Sequence, residues 1–303
     1  MSFFREIRQN KYLYALALPG LIFLIVFAYL PLTGHLIAFK KYRLADGLWG
    51  SQFVGLDNFK FFFMSSDWYK VTLNTIFLNG LFLVFGLGIA LVLALFLNEI
   101  RHLLYKKLAQ SFIFIPYFIS WLVVSMMTFA FLNTTDGVVN RTLETYGLNP
   151  VNWYLKPVVW PGILTLIYVW KFAGYYSIIF LAAITGISGE YYESARIDGA
   201  TRLRQIYHIT LPLIRNVVVV LGLLGVGRIF YGDFGMIYGI IGDNSALYST
   251  TDVIDTYTYR ALRVLSDFSK SSAVVLYQSV MGLITIVIFN QIAKKIDKDS
   301  SLF

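Results

Sequence analysis

Cysteine is absent from this 303-residue sequence, which excludes a disulfide framework, a thiolate metal site and a thiol nucleophile. Charge is also scarce: only 14% of the residues are charged, 57% are hydrophobic, and mean hydropathy is +0.66. A soluble domain needs more charge than this to cover its surface. The apolar residues form long uncharged runs rather than the pattern of a half-buried helix or strand. We therefore predict an all-α protein of the lipid bilayer, with one membrane domain over residues 1–303.

Six runs are long enough to cross a bilayer, which takes about 20 apolar residues. They cover residues 12–32, 72–98, 111–132, 159–185, 211–231 and 272–293. With a cytoplasmic N-terminus, the inside segments hold roughly twice the density of Lys and Arg found in the outside loops, so both termini are expected to be cytoplasmic. The net charge of +8 then reflects this asymmetry, and no nucleic-acid partner is expected.

The sequence also lacks the groups that would let this chain drive uphill transport alone. No Asp or Glu lies inside the six runs, whereas ion-coupled carriers usually place carboxylates at the midplane. No Gly-Lys pair occurs, so the phosphate-binding loop of ATPases is missing. The three histidines, His35, His102 and His208, do not have the spacing of a metal site. We expect no catalytic residue, no metal and no cofactor in this chain, and any ATPase must be a separate chain.

The loop between the fourth and fifth runs, residues 188–212, reads S-G-E-Y-Y-E-S-A-R-I-D-G-A-T-R-L-R-Q-I-Y-H-I-T-L-P. Ser188 can cap a short helix, and Glu190 in its first turn suits the helix dipole. Gly199 permits a break after about three turns, and Pro212 suits the first turn of the next span. The pattern predicts a short amphipathic helix outside the bilayer that can pass force from a docked partner to two spans. A solvated loop carrying positive-inside charges is the simpler alternative.

This loop resembles the E-A-A---G---------I-L-P signature of ABC importer permeases through Glu193, Ser194, Ala195, Gly199, Ile209, Leu211 and Pro212. Ser194 stands where the signature has alanine. Asp198 and Ala200 complete an I-D-G-A form that looks like the carbohydrate-uptake branch. Residues 53–59 (F-V-G-L-D-N-F) and 250–257 (T-T-D-V-I-D-T-Y) are similar to its polysaccharide and oligosaccharide permeases, the LplB-like group.

The resemblance implies a type I ABC importer permease fold in the bacterial cytoplasmic (inner) membrane, with residues 188–212 as the coupling helix that docks on an ATPase. It also implies a second homologous permease as heterodimer partner, two ABC ATPase subunits that bind ATP and Mg²⁺, and an extracytoplasmic solute-binding protein. The implied substrate is an oligosaccharide or polysaccharide. Coupling is assigned to Glu190, Glu193, Ser194, Ala195, Asp198, Gly199, Ala200, Ile209, Leu211 and Pro212.

Two groups of residues are candidates for the substrate pathway. Lys171 lies near the middle of the fourth run, with Tyr168 and Tyr175 on the same helical face. This mixture of cation, aromatic face and hydroxyl suits a sugar passage, but Lys171 could equally pair with carbonyls or an acid on the partner permease. The second group ends the fifth run and is flanked by glycines: Arg228, Tyr231 and Asp233. Arg228 and Asp233 could bind a sugar or each other, and an interfacial salt bridge among aromatic belt residues is equally compatible.

Two other classes of protein compete with the importer interpretation. A secondary carrier or channel for a small polar solute explains six spans, but it leaves the signature loop without a role. A membrane-embedded enzyme needs a nucleophile or metal cluster that the sequence does not supply. The two cations, Lys171 and Arg228, fit an anionic glycan, and hydrogen bonding to a neutral sugar fits them equally.

Overall fold

The computed structural model describes residues 6 and 9–296 and consists mainly of helices, several of them long enough to cross a membrane. Within these residues, four helical stretches are long and apolar enough to cross a membrane, and two bent helix pairs raise the number to six when each pair is one span. The four stretches are Lys11–Phe39, Asp67–Glu99, Pro157–Thr185 and Phe268–Lys295, and the pairs are Leu103–Phe118 with Trp121–Leu132 and Arg202–Leu213 with Arg215–Val226. This arrangement agrees with the six predicted spans and with the all-helical fold class.

The α-helices are numbered in chain order as α1 Lys11–Leu24, α2 Gly47–Gly50, α3 Asp57–Phe63, α4 Asp67–Glu99, α5 Leu103–Phe118, α6 Trp121–Leu132, α7 Val138–Thr145, α8 Trp160–Thr185, α9 Gly189–Ile197, α10 Arg202–Gln205, α11 Leu211–Leu213, α12 Arg215–Val226, α13 Phe234–Ile241, α14 Tyr248–Thr251, α15 Ile254–Leu265 and α16 Phe268–Ile296. A π-helix, Ile25–Tyr29, and a 3₁₀ stretch, Leu30–Phe39, continue α1. Two short strands, β1 Lys40–Lys41 and β2 Gln52–Phe53, pair antiparallel with Lys40 opposite Phe53.

The third predicted span, residues 111–132, is broken rather than straight. Helix α5 ends at Phe118 and α6 begins at Trp121, and the two are bent by 95°. Pro116 removes a backbone donor from the last turn of α5, and the Ser120 side chain caps α6 by accepting from the Val123 amide at 3.4 Å. The break leaves carbonyl groups at the end of α5 without helical partners.

The fifth predicted span, residues 211–231, is also interrupted. It is bent by 59° between Leu213 and Arg215, and its helix α12 ends at Val226. Pro212 lies at the bend and cannot donate a helical hydrogen bond. The residues after Val226 form a turn instead of another helical turn, which carries Arg228 and Tyr231 on irregular backbone.

The described residues fall into two compact units, one formed by those up to Ser65 together with Arg260–Leu276, and the other by Ser66–Tyr259 together with those from Tyr277 onward. In the first unit, the Tyr42 amide donates to Ser269 Oγ at 2.8 Å.

In the second unit, α4 and α8 pack along one another through small residues, of which Ala90 and Ala94 are fully buried. Helix α8 also approaches the backbone of α5 closely, since a Cβ on Gly174 would lie 1.8 Å from the Ile113 carbonyl oxygen. This close-packed group of spans frames the candidate site.

Candidate functional site

A cavity of about 790 Å³ lies among α4, α8, α12 and the turn that follows α12. Its volume falls within the range of about 300–1,000 Å³ that is usual for small-molecule sites. Its wall is mainly apolar and aromatic, with a few polar groups from Asn79, Arg228 and Asp233. Flat apolar faces combined with a small number of hydrogen-bonding groups are what a sugar ring needs.

The aromatic wall is fixed by ring stacking. Tyr168 stacks on Phe82 with ring centroids 4.8 Å apart, and it also contacts Phe172 at 4.7 Å. Tyr175 stacks on Tyr117 at 4.6 Å. Tyr168, Phe172 and Tyr175 all line the cavity. Two of the residues assigned to the pathway from the sequence, Tyr168 and Tyr175, therefore stand in the cavity wall.

Lys171 lies on the same helix but does not line the cavity. Its side chain is 5% exposed, and its ammonium donates to the carbonyls of Tyr117 at 3.0 Å, Pro116 at 3.4 Å and Ile119. The ammonium also lies 5.0 Å from the Trp121 ring centroid. The carbonyls that Lys171 binds are therefore on its own chain, at the break between α5 and α6, and not on a second permease. The sequence does not reveal this contact because it does not show that the third span is broken.

Arg228 and Asp233 both line the cavity but are held differently. One carboxylate oxygen of Asp233 accepts from the Trp121 indole N–H at 2.9 Å, and the other accepts from the Met236 amide at 3.0 Å and so caps α13. The Arg228 side chain is exposed in the cavity and makes no hydrogen bond or ion pair within the described part of the chain. Tyr231 is 38% exposed and also lines the cavity. The salt bridge between Arg228 and Asp233 considered from the sequence is not formed among these residues.

Two polar side chains outside the predicted sites, Asn79 and Gln278, hold the turn after α12. Asn79 donates to the Ile229 and Tyr231 carbonyls at 2.9 and 3.2 Å. Gln278 donates to the Phe230 carbonyl at 2.7 Å and to the Asp255 carboxylate at 2.9 Å. Asn79 and Gln278 are polar residues inside apolar runs, and that pattern was the signal that could have identified them.

Asp255 completes this support by accepting from the Gly232 amide at 2.6 Å. A Cβ on Gly232 would lie 2.9 Å from the Asp255 carboxylate, so a larger residue there would displace that carboxylate. Burial raises the pKa of the Asp255 carboxyl, and the hydrogen bonds from Gly232 and Gln278 oppose that rise. Hydrogen bonds with Asn79, Gln278 and Asp255 therefore hold the backbone that places Tyr231 and Asp233 in the cavity wall.

The signature loop forms a short helix, a break and a second helix. Ser188 caps α9 by accepting from the Glu190 amide at 3.4 Å. Gly199 follows α9 with φ of +76°, a left-handed conformation that favours glycine. The Ala200 amide then donates to the Ala195 carbonyl at 2.8 Å, which closes the end of the helix. The structure therefore places the helix and its break where the residue pattern predicts them.

Most signature residues of this loop are accessible. Exposed side chains belong to Glu190, Glu193, Ser194, Asp198 and Pro212, while Ala195, Ala200, Ile209 and Leu211 are half-buried. Ile197 is 87% exposed although it is apolar. A charged surface that also exposes a large apolar side chain is suited to a protein partner.

The loop is tied to the spans at both of its ends. The Tyr192 hydroxyl lies 3.0 Å from Thr210 Oγ1, which links α9 to the start of the fifth span. Gln205 donates to the Ala200 carbonyl at 3.1 Å, and Arg202 lies 3.8 Å from the Glu99 carboxylate at the end of α4. These contacts connect the loop to α4 and to the start of the fifth span.

The comparisons with known proteins agree with one another. Residues 86–298 match the family described as binding-protein-dependent transport system inner membrane component. The chain is 39% identical to protein LplB of Bacillus subtilis (strain 168), over 99% of this chain and 93% of that protein. It is 37% identical to the polygalacturonan/rhamnogalacturonan transport system permease protein YteP of the same organism, over 96% of this chain and 90% of that protein.

A solved structure is also similar, with a TM-score of 0.89 and 34% identity over 98% of this chain and 99% of that chain. It is a chain from the crystal structure of a bacterial alginate ABC transporter in complex with an alginate pentasaccharide-bound periplasmic protein.

Proposed function

The chain belongs to the family of binding-protein-dependent transport system inner membrane components, and from that membership we propose that it carries an oligosaccharide or polysaccharide through the cavity among α4, α8 and α12. The predicted type I ABC importer permease fold and the resemblance to LplB-like permeases are confirmed by the same comparisons. The observation that carries the proposal is the cavity wall, which combines stacked aromatic rings with a few polar groups. Two of the similar proteins are named for polygalacturonan or rhamnogalacturonan and for alginate, which are carbohydrate polymers.

In this proposal the chain forms half of the translocation pathway and a second homologous permease forms the other half. Two ABC ATPase subunits bind and hydrolyse ATP with Mg²⁺, because this sequence has no phosphate-binding loop. An extracytoplasmic solute-binding protein delivers the saccharide, which is supported by the family description. Both termini lie in the cytoplasm, as the distribution of Lys and Arg favours.

The signature loop couples the ATPase to the cavity. Its helix α9 presents exposed Glu193 and Ile197 to the ATPase, and the left-handed Gly199 keeps α9 separate from α10. The contacts of Tyr192 and Arg202 with the spans then convert movement of the ATPase into movement of the cavity wall. In this scheme Lys171 acts as a positioning residue, because it holds the break in the third span and does not touch the transported sugar.

The proposal is tested by purifying this chain with an affinity tag from its native membrane and reconstituting the purified complex in proteoliposomes. We expect a second permease and an ABC ATPase to copurify, and we expect saccharide uptake only when ATP and the binding protein are both supplied. Uptake by this chain alone, without ATP, would instead support the secondary carrier. Copurification without ATP-dependent uptake of any saccharide would contradict the proposed substrate class.

A further inference from the structure

Arg228 is the cation among the described residues that line the cavity. Its guanidinium is exposed in the cavity and forms no ion pair or hydrogen bond among residues 6 and 9–296. A guanidinium has five N–H donors and stays charged at any physiological pH. Among the spans of a membrane protein, such a group is expected to pair with another group or to mark the path of a substrate.

The other charged groups nearby already have hydrogen-bond partners within the chain. Asp233 shares the wall with Arg228, but its two oxygens accept from the Trp121 indole and the Met236 amide. Lys171 directs its ammonium to carbonyls behind the wall. Arg228 and Asp233 are the two charged side chains that line the cavity in the described residues. Of the charged side chains that line the cavity in the described residues, Arg228 is therefore the one whose donors are all left for a molecule in the cavity.

We infer that Arg228 selects saccharides that carry a carboxylate, by binding that carboxylate as it passes through the cavity. Guanidinium and carboxylate match in shape and can form two parallel hydrogen bonds, which a lysine cannot reproduce. The stacked rings of Tyr168 and Phe82 supply the flat surface against which the sugar ring lies. This inference rests on the proposed function and adds to it the charge of the substrate and the residue that reads it.

The test compares uptake of two trisaccharides of equal length, a trigalacturonate and its carboxyl-reduced neutral counterpart, by the reconstituted complex with its binding protein. The variants are Arg228→Gln, which removes the charge, and Arg228→Lys, which keeps the charge but loses the planar fork. Arg141→Gln is the matched control, because Arg141 is exposed outside the cavity and pairs with Asp136 at 3.2 Å. The same binding protein is present in every assay, so its own preference cancels when variants are compared.

For Arg228→Gln we expect acidic uptake to fall about tenfold or more, the size expected when a charge-assisted hydrogen bond is lost, while neutral uptake stays within about twofold. Arg228→Lys should show a smaller loss of acidic uptake, again with little change in neutral uptake. If the Arg228→Gln complex does not assemble, the Arg228→Lys result alone tests the inference. The inference would be overturned if Arg228→Gln reduced uptake of both sugars equally or of neither. It would also be overturned if the wild-type complex transported only the neutral sugar. A wild-type complex that transports neither trisaccharide nor any other saccharide would overturn the proposed function itself.

Discussion

Replacing Lys171 with methionine removes the group that holds the break in the third span and leaves the side-chain volume almost unchanged. The Tyr117 and Ile119 carbonyls then lose the Lys171 ammonium as their donor. The Pro116 carbonyl is less affected, because it also accepts from the Ile119 amide at 3.2 Å. The Lys171 side chain is 5% exposed, so water has little access to replace it.

The size of the effect follows from the two carbonyls that lose their donor. A hydrogen bond to a charged group contributes about 1.5–3 kcal/mol net, so two such bonds give about 3–6 kcal/mol. We expect the lower end, about 3 kcal/mol, because the methionine thioether keeps a favourable contact with the Trp121 ring. At roughly 2–4 °C per kcal/mol, the Tm should fall by about 6–12 °C.

The assay is thermal unfolding of the purified complex in nanodiscs, with Lys156→Met as the matched control. Lys156 precedes α8, and its side chain is exposed. The control should stay within about 1 °C of the unmodified protein, as is usual for surface substitutions. If Lys171→Met proves as stable as the control, the carbonyl contacts of Lys171 do not hold the break and the reasoning is refuted.

Three further predictions concern backbone and charge. Gly199→Val should reduce the uptake obtained per ATP hydrolysed, because valine is strained at φ of +76°, and unchanged coupling in proteoliposomes would contradict this. Gly174→Ala should lower the free energy of unfolding by about 1–3 kcal/mol, because the added Cβ would lie 1.8 Å from the Ile113 carbonyl oxygen. Gly162→Ala is the control and should be nearly neutral, because its Cβ would have no atom within 4 Å. Burial raises the pKa of the Asp255 carboxyl, so the folded state binds the carboxyl proton more tightly than the unfolded state does. The Tm of the unmodified protein, compared with that of Asp255→Asn, should therefore fall as pH rises above the ordinary carboxyl pKa. A difference in Tm between the two proteins that does not vary with pH would contradict this.

The approximate positions of the spans were predictable because hydropathy and length show which segments can cross a membrane. Helices α4 and α8 begin and end within a few residues of the predicted runs 72–98 and 159–185. The signature loop was predictable for a different reason, since capping by Ser188 and the left-handed Gly199 are local effects of single residues. Both kinds of signal depend on near neighbours in the sequence.

The contacts of the cavity wall were not predictable, because they join residues far apart in the chain. Lys171 was assigned to the pathway from its helical face, but the 95° break in the third span supplies carbonyls that take its ammonium away from the cavity. Asp233 was considered as a partner for Arg228, whereas Trp121, 112 residues earlier, takes one of its oxygens. Hydropathy carries no information about such pairings.

The central claim is that this chain transports a saccharide with energy delivered through the signature loop, and Glu193→Lys tests it most directly. Glu193 is exposed on α9, outside the spans, so its replacement leaves the insertion of every helix unchanged. The measurement is ATP hydrolysis stimulated by the binding protein, recorded beside saccharide uptake in the same proteoliposomes. We predict that Glu193→Lys abolishes uptake through weaker docking of the ATPase or through hydrolysis without transport. Normal hydrolysis and normal uptake together would contradict the claim.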